Sequence, residues 1–350
     1  MKKENIKGQG AVHNVHNHFE KNRYEQSIYQ DDYEEEIAKT QVIEVHPKTI
    51  VNKVKSPDLH MAYSMNPYQG CEHGCAYCYA RPTHEYWGYS AGVEFERVIL
   101  AKKNAPELLE QFFKKRGYVP ESILLSGNTD CYQPVERKLQ ITRRLLQVFL
   151  EYRHPVNVLT KNALVTRDID ILAQLAEKNL VTVSLSIPTI NEDLRRKLEP
   201  RTSSVNTKLK AIETLSENGI PVHIMAAPMI PGLNTMEILP IVKTIAEKGA
   251  LGCSYTLVRL NDTVEPVFKD WLAEHYPDRQ DKVLHQIASM HGGKLGEKSV
   301  AKRKVGEGNI ADMIHTTFKI ARQKYFADKE LPKLNFGLFD GTKGEQLRLF

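Results

Sequence analysis

The 350-residue chain nowhere runs to 18 consecutive apolar residues, so no stretch qualifies as a membrane-spanning helix. Residues 1–26 carry lysines at positions 2 and 3 but no apolar run, so the expectation is no secretory leader and a cytoplasmic protein. There is no even set of closely spaced cysteines; five in a chain of this size argue against a disulfide framework and for metal or redox chemistry. Charge is not strongly one-signed: a net +5 gives only a weak pull toward polyanions. No internal repeat is visible. What is present, 41% hydrophobic and 26% charged residues, is the balance of a globular protein and excludes a collagen-like or wholly disordered chain.

Residues 1–45 form a polar arm with few apolar anchors and an acidic run at Asp31, Asp32, Glu34, Glu35 and Glu36. His13, His16 and His18 lack Cys or carboxylate partners at ligand spacing and read as part of a solvated arm. From about residue 60, short apolar runs at 123–125, 156–159, 181–187, 222–226 and 251–257 alternate with amphipathic stretches at 105–115, 135–152, 168–178, 207–217 and 236–248. Pro106 marks a helix start, and Asn218-Gly219 a helix stop. With one strand before Cys71, this predicts an α/β fold of six parallel strands joined by helical crossovers. After residue 260 the alternation ends. Helices are expected over 264–275, 282–290 and 310–326, a Gly- and Lys-rich loop over 292–308, and a tail over 336–350.

The strongest chemical signal is Cys71-Glu-His-Gly-Cys75-Ala-Tyr-Cys78. Three soft thiolates within eight residues suit an iron–sulfur cluster or zinc. A structural zinc needs a fourth ligand, which His73 or His84 offers; the absence of a second Cys-x-x-Cys knuckle speaks against that reading. A 4Fe–4S cluster held by three cysteines keeps one iron open, as catalysis requires and a structural metal avoids. Cys131 and Cys253 lie far away in sequence.

Cys-x-x-x-Cys-x-aromatic-Cys after the first strand resembles the radical S-adenosylmethionine (radical SAM) superfamily. The resemblance covers about residues 60–260 and implies a partial (β/α)6 TIM-type barrel. It gives a radical SAM core at 46–260, followed by a helical C-terminal extension with a basic segment at 261–335. It also implies a 4Fe–4S cluster on Cys71, Cys75 and Cys78, and S-adenosylmethionine chelated to the open iron. One electron then cleaves the cofactor, and the resulting 5′-deoxyadenosyl radical abstracts a hydrogen atom from substrate; the cofactor carries the hard step. An electron donor such as flavodoxin or ferredoxin follows. Tyr77 matches the aromatic near the adenine. Ser126-Gly127-Asn128-Thr129-Asp130 stands where the family holds the methionyl amine, although the usual Gly-Gly-Glu is absent. Ser184 and Ser186, on one side of their strand, are expected at the ribose or carboxylate, and Arg201 as a carboxylate clamp. Residues 226–234 resemble the turn that packs on the adenine.

Within the superfamily, Cys75-Ala-Tyr77-Cys78-Tyr79 and Thr129-Asp130-Cys131-Tyr132-Gln133-Pro134 resemble the spore photoproduct lyase-like group, whose members carry the name DNA repair photolyase. This implies a lyase-type enzyme acting on DNA, with Tyr79 as a hydrogen-atom carrier. The group's quenching cysteine aligns near Gly127, so the thiol offered is Cys131, four residues on. RNA modification with the same cofactors, or a non-catalytic iron–sulfur or zinc nucleic-acid-binding module, are the alternatives.

Eight Lys/Arg against three acids between Lys294 and Lys324 include Lys302-Arg303-Lys304, which is expected to follow a phosphate backbone. The final Gln346-Leu347-Arg348-Leu349-Phe350 resembles the peptide that bacterial repair proteins present to the DNA polymerase sliding clamp, with Leu347, Leu349 and Phe350 as apolar anchors.

Overall fold

The computed structural model describes residues 8–17, 19, 40–58 and 61–341. Its strands are β1 (Gln41–Val45), β2 (Val51–Lys53), β3 (Tyr63–Met65), β4 (Tyr68–Gln69), β5 (Val98–Lys102), β6 (Ile123–Leu125), β7 (Val156–Thr160), β8 (Val181–Ser186), β9 (Val222–Met225) and β10 (Gly252–Ser254). The main sheet runs β10-β9-β8-β7-β6-β3-β2. The six from β3 to β10 are parallel, and β2 is an antiparallel edge. This is the expected α/β partial (β/α)6 barrel. A second sheet, β1-β5-β4, lies outside it; Gln41–Val45, which the sequence placed in the arm, pairs in register with Val98–Lys102.

The helices are α1 (Val93–Arg97), α2 (Ala105–Phe113), α3 (Glu136–Leu139), α4 (Ile141–Glu151), α5 (Ile169–Ala176), α6 (Glu192–Leu198), α7 (Val205–Glu217), α8 (Ile238–Glu247), α9 (Val264–His275), α10 (Gln280–Ser289) and α11 (Asn309–Tyr325). Ser204 caps α7 by accepting the Thr207 N–H at 3.2 Å, and Asn191 caps α6. The single helix expected over 135–152 is broken at Gln140, whose φ is +51°. The cause is Glu136. Its carboxylate accepts the Thr142 N–H at 3.1 Å, so it caps α4 from inside the preceding turn. Among the described residues, no helix is long and apolar enough to cross a membrane.

Strand alternation sets the two faces of the sheet. Val156, Val158, Val181, Val183, Leu185, Val222 and Ile224 are buried in the main core with Leu145, Phe149, Leu172, Leu215 and Ile241 of the surrounding helices. Each such side chain contributes about 1.5–3 kcal/mol by leaving water. The alternate residues Ser64, Asn157, Ser184, His223 and Ser254 are half-buried and give the barrel interior a polar lining.

A second core joins the extension to the barrel. Val264, Phe268, Trp271 and Leu272 of α9 and Val283 and Ile287 of α10 pack with Cys75, Tyr77, Leu194 and Leu198. The Trp271 indole N–H donates to the Lys197 carbonyl at 2.8 Å. Of the expected tail, residues 336–341 are described, and Phe339 packs edge-on against Phe113, Tyr118 and His154. Gln346–Phe350, His18 and the acidic run at 31–36 lie outside the described residues.

Candidate functional site

All the candidate residues except Arg201 sit on the strands or on the loops that leave the carboxyl ends of β3 to β8, the face on which barrel enzymes build their sites. The cysteine loop, residues 70–80, needs two left-handed glycines, Gly70 (φ +78°) and Gly74 (φ +66°), to fold its thiols together. Three neighbouring loops fasten it. Gln133, after β6, accepts the Glu72 N–H at 2.9 Å, and Glu72 accepts the Val135 N–H at 2.6 Å. After β7, the Asn162 amide lies 3.3 Å from the His73 ring. After β8, the Leu198 carbonyl accepts the Ala76 N–H at 3.1 Å, and the His73 carbonyl accepts the Arg201 N–H at 3.2 Å.

Cys78 packs both with the Cys71 cluster and with the Cys75 cluster, so the three sulfurs share one locality. All five cysteines are free thiols. Burial pushes the Cys75 thiol up, reinforced by Glu199, and it pushes Cys78 up to about 11, reinforced by Cys71. Thiols held protonated by burial and mutual repulsion become good ligands once a cationic centre takes their charge. Among the described residues, no three His, Cys, Asp or Glu side chains converge on a single ion position, as a closed zinc site would require. A cluster asks for less convergence, because each thiolate binds a different iron. Of the two histidines offered as a fourth ligand, His73 faces Asp130 at 3.3 Å, and His84 is fully buried between Tyr89 and Phe95.

The turn at 126–130 is at the expected place, but its side chains point inward. The Ser126 hydroxyl donates to the Thr129 carbonyl at 2.8 Å and accepts the Cys131 N–H at 2.9 Å; the Thr129 hydroxyl donates to the Tyr68 carbonyl at 2.5 Å. The Asp130 carboxylate accepts from Tyr132 N–H (2.8 Å), the Thr160 hydroxyl (2.7 Å) and Lys161 N–H (2.7 Å). Burial opposes the charge on Asp130, yet His73 and these donors keep its carboxyl below the usual range. Asp130 is therefore a strut between loops. Asn128 is held by Asn66 and Thr83, and a Cβ on Gly127 would overlap the Ser64 hydroxyl.

Arg201 lies in the connection between α6 and α7. Its Nε donates to the Gly8 carbonyl at 2.7 Å. A cation near the cysteines, besides the buried Arg81, is Lys161, directly after β7. Its Nζ lies 2.9 Å from Glu199, donates to the Ser186 hydroxyl at 2.6 Å and stands 5.4 Å from the centre of the Tyr77 ring. Glu199 also receives the Tyr77 hydroxyl and, at 2.9 Å, the fully buried Lys208. Burial opposes the charge on Glu199, but the two lysines hold its carboxyl well below the usual range. Burial also opposes the charge on Lys161, which Glu199 and Cys75 keep above the ordinary lysine range; Lys208, more deeply buried, is lowered. No periodicity in the sequence marks this quartet. A lysine directly at the carboxyl end of a barrel strand was the available signal.

Ser186 thus joins the quartet, and Ser184 lines the interior beside it, one strand position earlier on the same face. Tyr79 is 52% exposed, its hydroxyl donates to the Gly127 carbonyl at 2.6 Å, and the Arg259 guanidinium lies 6.0 Å from its ring centre. Cys131 is fully buried in the main core, with its sulfur 3.9 Å from the Leu159 carbonyl. The basic triplet is paired internally. Arg303 forms a two-pronged contact with Asp58, Lys304 donates to the Asp58 carbonyl at 2.5 Å, and Lys302 pairs with Glu307 at 2.7 Å.

Residues 65–245 match the family model described as the Radical SAM superfamily. An uncharacterized protein of Mycobacterium tuberculosis is 30% identical over 238 residues, spanning 67% of this chain and 70% of that protein. One from Methanocaldococcus jannaschii is 28% identical over 251 residues, spanning 72% and 90%. Among solved structures, spore photoproduct lyase with bound AdoMet and dinucleoside spore photoproduct superposes with a TM-score of 0.60 at 16% identity, covering 82% of this chain and 80% of that one. A second form of that enzyme, with dinucleoside spore photoproduct, gives 0.62 at 15% identity, covering 87% and 86%. At such identities the likeness is one of fold.

Proposed function

We propose, for a chain that belongs to the radical SAM superfamily and is an enzyme using that family's 4Fe–4S cluster and S-adenosylmethionine, a hydrogen-abstraction reaction on nucleic acid, with a DNA lesion as substrate. When bound, the two cofactors supply one-electron cleavage of a sulfonium and removal of a hydrogen atom from substrate. Cys71, Cys75 and Cys78 hold the cluster. Lys161 takes over the carboxylate role expected of Arg201, because its ammonium stands beside Cys75, Ser186 and Tyr77 while Arg201 is turned to Gly8. The 126–130 turn stands beside the cysteine loop for the methionyl amine, and Ser184 lines the cofactor's side of the barrel. Tyr79 is the hydrogen carrier, held at the open end by Gly127.

The observation that carries this reading is the gathering of three thiols, two buried and one half-buried, at the carboxyl end of a six-stranded parallel barrel, with a cation and a polar interior beside them. DNA is favoured by the fold shared with a lyase that binds a dinucleoside photoproduct and by the exposed aromatics Tyr79, Tyr86 and Trp87 around the cysteine loop, since bases stack on such rings. The internally paired basic triplet contributes nothing to this preference. An external reductant of the flavodoxin or ferredoxin type, and a cytoplasmic site of action, belong to the same proposal. So does clamp binding by Gln346–Phe350, tested with a peptide of residues 340–350. Absence of binding at ~100 μM removes it.

The test is anaerobic. After reconstitution with iron and sulfide and reduction with dithionite, S-adenosylmethionine is expected to yield 5′-deoxyadenosine, and the yield to rise with irradiated DNA. Stimulation by RNA instead transfers the substrate to that class. A protein that binds iron but forms no deoxyadenosine overturns the enzymatic reading.

A further inference from the structure

Residues 8–17 lie against the cysteine loop on the side of α1. The centre of the contact is Glu96, fully buried, whose carboxylate accepts the Gly10 N–H at 3.1 Å and the Ala11 N–H at 2.8 Å. The same carboxylate receives the guanidinium of Arg81, also fully buried, at 2.5 Å. Arg81 in turn donates twice to the Cys75 carbonyl, at 2.8 and 3.2 Å, and to the Ala91 and Gly92 carbonyls at 3.1 and 3.0 Å. One chain of charge-assisted hydrogen bonds therefore runs from the N-terminal segment to a cysteine of the site.

Shape adds to charge. A Cβ on Gly10 would overlap the carbonyl oxygen of Gly74, between the first two cysteines, and one on Gly92 would overlap the His13 carbonyl. Further along, the Ser90 hydroxyl donates to the Val15 carbonyl at 2.7 Å, Asn14 accepts the Glu94 N–H at 3.0 Å, and Asn17 donates to the Glu85 carbonyl at 3.2 Å. At the other end Gly8 holds Arg201, and His13 faces Asp270 of α9 at 3.2 Å. The contacts reach the cysteine loop, the segment after it and the C-terminal extension.

We infer that residues 8–17 form part of the cluster's housing, with Glu96 and Arg81 as positioning residues that transmit the segment's grip to the Cys71–Cys75 turn. This rests on the cluster reading above but goes beyond the cysteines: iron retention depends on a segment outside the barrel. Partners one shell removed from metal ligands change metal affinity by about 10–100-fold when lost, and the same range applies here.

The experiment uses the full chain carrying Gly10→Val, which forces the segment from Gly74 without touching the barrel, and a second variant lacking residues 1–17. Each is reconstituted anaerobically beside the wild type. Iron transfer to a ferrous chelator is then followed by the loss of absorbance near ~400 nm, a region of iron–sulfur absorption. Urea unfolding of the apo chains provides the control for folding. The expected result is uptake of iron by all three proteins, an unfolding midpoint of the apo variants close to the wild type, and iron loss at least ten times faster in both variants. Equal rates in the three proteins overturn the inference and leave the cluster reading standing. A wild type that takes up no iron overturns the cluster reading itself. Should Gly10→Val fail to fold, the truncated chain decides alone.

Discussion

Replacing Glu199 with Gln removes the carboxylate that, among the described residues, the buried ammonium of Lys208 touches. Lys208 and Glu199 have side-chain exposures of 1% and 0%, and the remaining acceptor for Lys208 is the Ser186 carbonyl at 3.2 Å. Breaking a buried pair by deleting one partner costs about 3–5 kcal/mol, because the other charge stays desolvated. At about 1.4 kcal/mol per tenfold, the folding constant should fall by two to three and a half orders of magnitude, roughly. Lys208→Met on top of Glu199→Gln removes the stranded charge and should recover most of that loss. Lys161→Met is expected to be milder, about 1 kcal/mol, since its side chain is 20% exposed and the Lys208–Glu199 pair survives it. That same variant should nevertheless lower deoxyadenosine formation at least tenfold. Urea unfolding of the apo chains by far-UV circular dichroism, with midpoint and slope fitted separately, measures the stabilities. A Glu199→Gln chain within about 1 kcal/mol of the wild type, or a double variant no more stable than the single one, refutes the claim that two cations share this carboxylate.

His154 is fully buried, with its Nε2 2.9 Å from the Tyr118 hydroxyl and its Nδ1 2.8 Å from the Pro155 carbonyl; burial lowers its pKa to about 4. His223 is likewise lowered to about 4 by burial. Both fold in the neutral form, so the unfolded chain binds more protons between pH 6.5 and 4. The contribution of these two histidines should be constant above pH 7 and fall by roughly 2–3 kcal/mol each across that window, and His154→Gln should reduce the slope between pH 6.5 and 4 in urea titrations. Arg303, followed by Ser56, lowers the Asp58 carboxyl below the usual range against its burial; docking of the 302–304 loop should therefore persist from pH 7 to about 4 and be lost below it, as read by hydrogen exchange of residues 299–306. Tyr79→Phe removes one hydrogen bond and little stability, about 1 kcal/mol. It should leave cofactor cleavage in place and reduce product per deoxyadenosine formed; an unchanged ratio assigns the hydrogen carrier elsewhere.

The barrel was legible because its signals are local. Each of the five apolar runs found a strand, and Pro106 and Asn218-Gly219 start and stop helices where short-range chemistry says they should. Where the reading departed from the structure, a distant partner was responsible. The helix over 135–152 breaks because Glu136 also meets Tyr68 and Arg167, residues 68 and 31 positions away. β1 forms because residues 98–102 offer it an edge, and nothing in 41–45 announces that pairing.

The same division runs through the site. The cysteines lie within eight residues of one another, and a motif of that kind carries its own geometry. Arg201, the 126–130 hydroxyls and Lys302–Lys304 were assigned by what their side chains can bind in isolation, and the fold had already given each a partner: Gly8, neighbouring backbone, and Asp58. Lys161 escaped notice for the opposite reason, since a single lysine has no pattern and acquires its meaning only when Glu199, Ser186 and Tyr77 arrive from other loops. An arginine or serine near a cofactor motif is therefore weak evidence of ligand contact until its hydrogen-bonding capacity has been counted. Here that count shows the basic triplet already committed to Asp58 and Glu307, and Lys161 fixed in place by Glu199, Ser186 and Tyr77.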